Sequence, residues 1–180
     1  MQTKELIAQG IGLVAMCFTI SSYQGKSQKT VVGLLTAGSV LFFVNFLMLG
    51  ATVGAMLNLL GAVRGLVFFY REKLKADRLP WLLGFSAAYF AVYVLTFTVF
   101  GTEPTAKNLL IELLPVVGMQ ALNIGYACKS AAAIRRFGLI SSPSWLIYNI
   151  AVVSWGAILC ETITLASILI GILRLDRKKS

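Results

Sequence analysis

The chain has 180 residues, of which 58% are hydrophobic and 13% charged, and its mean hydropathy is +0.82. A water-soluble domain of this length needs more charge to cover its surface, so the bilayer must be the solvent for most side chains. The net charge of +9 lies between apolar runs, which marks it as a topology signal rather than a nucleic-acid footprint, and the absence of histidine excludes His-ligated metals and histidine general bases.

Seven apolar segments follow in chain order, over 5–23, 31–50, 51–70, 80–101, 109–128, 137–155 and 157–174. Each is near the ~20 residues that cross a hydrocarbon core of ~30 Å. The first starts after Lys4 and ends in Thr19-Ile20-Ser21-Ser22-Tyr23, which is no cleavage pattern, so it is read as a retained helix. The second and third form one run too long for a single span, which calls for a turn near Gly50-Ala51-Thr52-Val53-Gly54. Arg71-Glu72-Lys73-Leu74-Lys75-Ala76-Asp77-Arg78 reads as a solvated loop, with contact to anionic lipid as a secondary role. The sixth and seventh segments need a turn near Ser154-Trp155-Gly156, where Trp155 suits the headgroup level. Pro115 and Pro143 are expected as tolerated kinks or first-turn prolines. Cys17, Cys128 and Cys160 show no metal spacing and are expected as free thiols.

The charges orient this arrangement. With the amino terminus outside, the inner loops and tail hold Lys26, Lys29, Arg71, Lys73, Lys75, Arg78, Lys129, Arg135, Arg136, Arg174, Arg177, Lys178 and Lys179. Only Lys4 and Lys107 lie outside, and Arg64 falls within a span. The asymmetry predicts a multi-pass protein with an outer amino terminus and a cytoplasmic carboxy terminus. The whole chain, 1–180, reads as one transmembrane domain with no room for a separate soluble one.

Segments one to three and five to seven share a plan: a helix, a short basic loop, then two helices joined by a tight uncharged turn. Landmarks recur about 105 positions apart, pairing Gly12 with Gly118, Gly33 with Gly138, Asn45 with Asn149, Gly50 with Gly156, and Asn58 with Glu161. The predicted fold is all-α, with repeat one over 5–70, a linker helix over 80–101 that inverts direction, and repeat two over 109–174. This 3+1+3 plan resembles the SWEET transporters, and Gly12 through Tyr70 is similar to a SWEET or PQ-loop repeat. The similarity rests on Tyr23-Gln24, Gly25-Lys26-Ser27, Gly33 and Asn58, the last at a position where the superfamily carries a substrate-contacting asparagine. Glu112-Leu113-Leu114-Pro115-Val116-Val117-Gly118 with Trp145, Asn149 and Glu161 resembles the YgjV family of bacterial inner-membrane proteins, which implies that location. The chain departs from the PQ-loop pattern in having Tyr23 in place of the proline and Ala127-Cys128 where the second Pro-Gln belongs. The resemblance assigns a gate-hinge role to those prolines.

Four polar residues fall at one depth of the outer half. At 1.5 Å per residue, Asn45 and Glu161 lie about 8 Å below the outer edge, Asn149 about 9 Å and Asn58 about 12 Å. A carboxylate within a span costs roughly 3 kcal/mol on insertion scales and usually faces a cavity or a partner. Glu161 suits a cationic or hydroxyl-bearing solute, or a coupling proton; the bland alternative is a carboxylate reaching headgroup water. Interhelical asparagines are often packing glue, so Asn45, Asn58 and Asn149 carry the same two readings. Trp145 offers a stacking wall for a sugar ring, or simple core packing. Gln120 and Asn123 lie deeper, where helix–helix bonding is favoured over a continued polar path. Arg64 is expected to snorkel to the cytoplasmic headgroups. Gly54, Asn58, Gly61 and Gly65 share one stripe of the third helix, a signal of close packing.

No nucleophile–base pair, metal cluster or phosphate loop is present in the sequence, so neither an enzyme nor a bound cofactor or metal is expected. The expectation is a facilitated or proton- or cation-linked transporter of a small polar solute, with a site of Asn45, Asn58, Trp145, Asn149 and Glu161. Two rivals remain: an interaction or assembly protein of the inner membrane, with sealed polar contacts and no cavity, and a lipid-handling protein with an apolar groove. SWEET-like bundles of this length work as monomers or assemble further, so the resemblance implies either a lone chain or a homo-oligomer.

Overall fold

The computed structural model describes residues 3–49, 52–76, 79–151 and 155–176. Among these the chain forms eight α-helices: α1 (Thr3–Ser22), α2 (Gln28–Leu49), α3 (Thr52–Phe69), α4 (Arg71–Leu74), α5 (Leu79–Thr98), α6 (Ala106–Ala127), α7 (Ala131–Ala151) and α8 (Trp155–Gly171). A π-helical turn, Ile172–Asp176, continues α8.

Local chemistry sets the helix ends. Ser27 Oγ accepts from the Thr30 backbone N–H at 3.1 Å, so α2 begins at Gln28, earlier than the apolar run that starts at 31. Thr105 Oγ1 accepts from the Asn108 N–H at 3.2 Å and caps α6. The basic stretch before 137, expected as loop, is helical from Ala131. Its alanines favour helix, and Arg135 is drawn inward rather than solvated, 2% exposed. Likewise Arg71–Leu74, expected as solvated loop, forms α4, which ends on Lys75 in the left-handed region at φ 50°. Trp81 Nε1 donates to the Leu74 carbonyl at 3.1 Å and ties α5 to that end. The expectations that fall on Gly50, Ala51, Asp77, Arg78, Ser154, Arg177, Lys178 and Lys179 lie outside the described residues, as do those on the Lys4 and Trp155 side chains.

Among the described residues, four stretches are long and apolar enough to cross a membrane: Gln28–Met48, Leu79–Thr98, Ala106–Ala127 and Ala157–Asp176. The apolar runs of α1 and α3 are shorter, Leu6–Ser22 and Val53–Phe69. α7 is the most polar of the long helices, carrying Arg135, Arg136, Ser141, Ser142, Ser144 and Asn149. Leu13, Leu47, Leu83, Leu110, Ile147 and Leu159 are each more than half exposed, an exterior suited to lipid tails.

Consecutive helices pack on one another: α1 on α2, α2 on α3, α6 on α7, α7 on α8. α5 bridges α3 and α6, while α1 meets α8, α2 meets α7 and α3 meets α6. Apart from α5, exchanging α1, α2 and α3 for α6, α7 and α8 maps these pairs onto themselves. Lipid offers no hydrophobic gain for helix association, so close contact must hold the bundle. Gly65 of α3 supplies it. A Cβ there would overlap Thr36 of α2, so the two helices approach through the missing side chain. The densest packing lies toward the end where α1 and α6 finish. Val31, Val32, Phe68, Tyr126, Ile134 and Ile168 are each at most 2% exposed there.

Candidate functional site

A cavity of about 310 Å³ lies between the two groups of helices. It extends from Phe46, Gly54, Tyr148 and Ala157, beside the ends of α2 and α7, to Tyr23, Arg64 and Tyr126. From Gly54 to Arg64 that is about 15 Å along α3.

Of the residues expected as a site, Asn58, Trp145, Asn149 and Glu161 line this one cavity. Asn58 Nδ2 donates to the Gly54 carbonyl one turn back at 2.9 Å, which fixes its rotamer on the cavity side of α3. Trp145 rests on α6 because Gly118 leaves room: a Cβ there would lie 3.0 Å from Trp145 Cδ1. The indole meets Tyr148 edge-on at 5.9 Å, so two aromatic groups form one wall. Glu161 Oε2 accepts from Ser142 Oγ at 2.5 Å, a short bond that joins α8 to α7 and aims the carboxyl group.

The other three do not line it. Asn45 is 5% exposed and donates through Nδ2 to the Ala8 carbonyl of α1 at 2.6 Å, against Gly12. Gln120 exchanges bonds with Ser86 of α5, and Asn123 donates to the Leu82 carbonyl at 3.0 Å. These side chains join helices through their amide N–H groups, while Asn123 Oδ1 is left without a partner.

Arg64 departs from its expected place. It is 2% exposed and lines the cavity instead of snorkelling outward. Nη1 donates to the Met119 carbonyl of α6 at 2.9 Å, and the guanidinium lies 4.5 Å from the Tyr126 ring centroid and 5.6 Å from that of Tyr89. The pull of a carbonyl and two ring faces outweighs the reach to water. The signal was present in the glycine stripe of α3: Arg64 follows Gly61 by one helical step of three, so it shares the inward side. Tyr23 and Tyr126 also line the cavity; in the sequence Tyr23 stands out only within the Tyr23-Gln24 motif, and no pattern marks Tyr126.

Beyond these tyrosines the bundle is latched twice. Arg135 of α7 donates to the Gly25 carbonyl at 2.8 Å, to the Tyr23 carbonyl at 3.4 Å and to both oxygens of Asp176. Gln28 of α2 donates to the Tyr126 and Cys128 carbonyls at 2.9 and 3.0 Å, and Arg71 donates to Gln28 Oε1 and the Ala127 carbonyl at 2.8 and 3.2 Å. Each latch holds the end of the first helix of one group with the second helix of the other.

Among the described residues, no group of three His, Cys, Asp or Glu side chains gathers as a metal site. The model of the Imp-YgjV family, described as bacterial inner membrane protein, matches residues 6–179. No curated protein and no solved structure matches the chain.

Proposed function

The chain belongs to the Imp-YgjV family of bacterial inner membrane proteins, and on that premise we propose that it carries a small polar solute across that membrane by alternating access. The proposed arrangement is seven spans, with α1–α3 and α6–α8 as parallel units, α5 as the inverting helix, and the carboxy terminus in the cytoplasm. The exchange of helix pairs supports the two units, and the distribution of basic residues supports the orientation.

The observation that carries the proposal is the cavity between the units, with Asn58 and Trp145, Asn149 and Glu161 contributed from opposite sides. Its volume lies at the lower end of small-molecule sites, ~300–1,000 Å³, which suits one monomeric solute. In the proposed orientation it extends toward the outer face, and the Arg135 and Arg71 latches seal the cytoplasmic side. Passage then needs the latches to part and the outer walls to close on the solute. Rocking the two units provides that motion without Pro-Gln hinges, because the latches, rather than helix kinks, hold the inner side shut.

The interaction-protein alternative finds support in Asn45, Gln120 and Asn123, whose amide N–H groups donate within the bundle. Uptake into proteoliposomes separates the two. Radiolabelled sugars, amino acids, polyamines and nucleosides would be compared for the intact protein, Glu161→Gln and Asn58→Ala. Transport requires that one class enters with the intact protein and that a substitution abolishes entry while the fold is kept. No entry of any class at any pH or membrane potential favours the alternative.

A further inference from the structure

Arg64 carries a buried charge with no carboxylate at ion-pair distance among the described residues; the pair at Arg135 and Asp176 lies at the latch. Its Nη1 is used on Met119, and its Nε meets no acceptor. A guanidinium out of water is costly unless it is compensated, and one carbonyl, two ring faces and the Tyr126 hydroxyl supply only part of that. The group also faces the cavity. Thr164 of α8 lines the same cavity, is 2% exposed, and its Oγ1 has only the weakly bonding Cys160 thiol one turn back beside it. Measured along the helices at 1.5 Å per residue, Arg64 lies about 18 Å from the start of α3 and Thr164 about 14 Å from the start of α8. They stand within about one helical turn of the same level.

A planar fork of N–H donors in a partly apolar chamber is built for a carboxylate or phosphate-type oxyanion, and a hydroxyl can donate to the same group. We propose that the solute carries such an oxyanion, received at the cavity floor by Arg64 and Thr164, with its polar remainder toward Asn58, Asn149 and Glu161. Glu161 at the other level then repels a second anionic group and favours hydroxyl or ammonium groups there. The solute class is therefore a small monoanion or zwitterion rather than a neutral sugar. This deepens the transport reading in taking the cavity as the solute site, but it requires binding and not passage.

The test is equilibrium binding to the full chain in phosphatidylcholine nanodiscs, read from Trp145 fluorescence with Trp81 and Trp155 replaced by Phe. The probes are matched pairs: lactate and lactamide, alanine and alaninamide, glycerol phosphate and glycerol. One anionic or zwitterionic member should bind about tenfold to a hundredfold more tightly than its partner without the oxyanion. Arg64→Gln should remove that preference and leave weak binding of the partner. Should Arg64→Gln fail to fold, Arg64→Lys keeps the charge without the fork and should retain a reduced preference. Equal binding of both members, a preference that survives Arg64→Gln, or no binding by any pair overturns the proposal. Repeating the titration with phosphatidylglycerol in the nanodisc assigns the oxyanion to a lipid headgroup, against the proposal, if that lipid displaces the probes. Anion binding without uptake would sink transport and leave the oxyanion site standing; uptake of a neutral solute indifferent to Arg64 would do the reverse.

Discussion

Arg135 and Asp176 form a buried ion pair that fastens the end of α8 to the start of α7, Nη2 to Oδ1 2.5 Å, with side chains 3% and 9% exposed. Removing one partner strands the other charge away from water. Asp176→Asn is expected to cost about 3 kcal/mol, and thermal melts in one detergent measure it. Arg71→Gln should cost less, about 1 kcal/mol, because Arg71 is only half-buried and Gln28 keeps its own bonds to the Tyr126 and Cys128 carbonyls. Equal losses would mean that the two latches are not graded by burial.

Asn45 and Asn58 should separate stability from function. Asn45 Nδ2 satisfies the Ala8 carbonyl inside the bundle, so Asn45→Ala should lower stability by about 1–2 kcal/mol. Uptake per folded molecule should stay unchanged. Asn58 bonds only within its own helix and faces the cavity, so Asn58→Ala should leave the melting temperature nearly unmoved while uptake falls. The crossed pattern would move the site away from Asn58.

Glu161 and Ser142 form a graded pair in the cavity wall. Glu161→Gln keeps the volume but replaces the ionisable carboxyl group that Ser142 bonds, and uptake should drop by about a hundredfold. Ser142→Ala leaves the carboxylate present but unaimed, with an expected loss of about tenfold. Initial rates in proteoliposomes, normalised to folded protein, give both figures. A Ser142→Ala defect as deep as that of Glu161→Gln would assign the serine a role beyond orientation.

Gly65 tests the contact between α2 and α3. A methyl group there meets Thr36 with no space, so Gly65→Ala should destabilise by about 1–3 kcal/mol. Gly65→Ala combined with Thr36→Ala should recover part of the loss, because the obstructing side chain is cut back. Thermal melts of the two proteins decide it.

Much of this structure is written in patterns that a sequence shows directly. Apolar runs near span length located the long helices, and Glu161 announced itself as a carboxylate amid apolar residues. Asn58 could be placed inward from the glycine stripe around it. Arg64 could not be placed by depth alone, because a snorkelling arginine and a cavity arginine lie at the same height; rotation about the helix and the Tyr126 ring decide between them. The Arg135–Asp176 pair was hidden for a different reason. Both residues lie at helix ends, where charge reads as topology, and only tertiary packing brings the two ends together. Asn45 and Asn149 read alike in sequence, but Asn45 faces Gly12 of α1 while Asn149 faces the cavity.

The proposed passage is tested most directly by thiol labelling, which needs no knowledge of the solute. In a background with Cys17, Cys128 and Cys160 replaced, Asn58→Cys and Asn45→Cys would be exposed to a membrane-impermeant maleimide in right-side-out and in inverted vesicles. Alternating access predicts that position 58 is labelled from both faces, faster from the outside, and that position 45 is labelled from neither. Labelling of position 58 from one face only, or from no face, would contradict a passage between the two helical units.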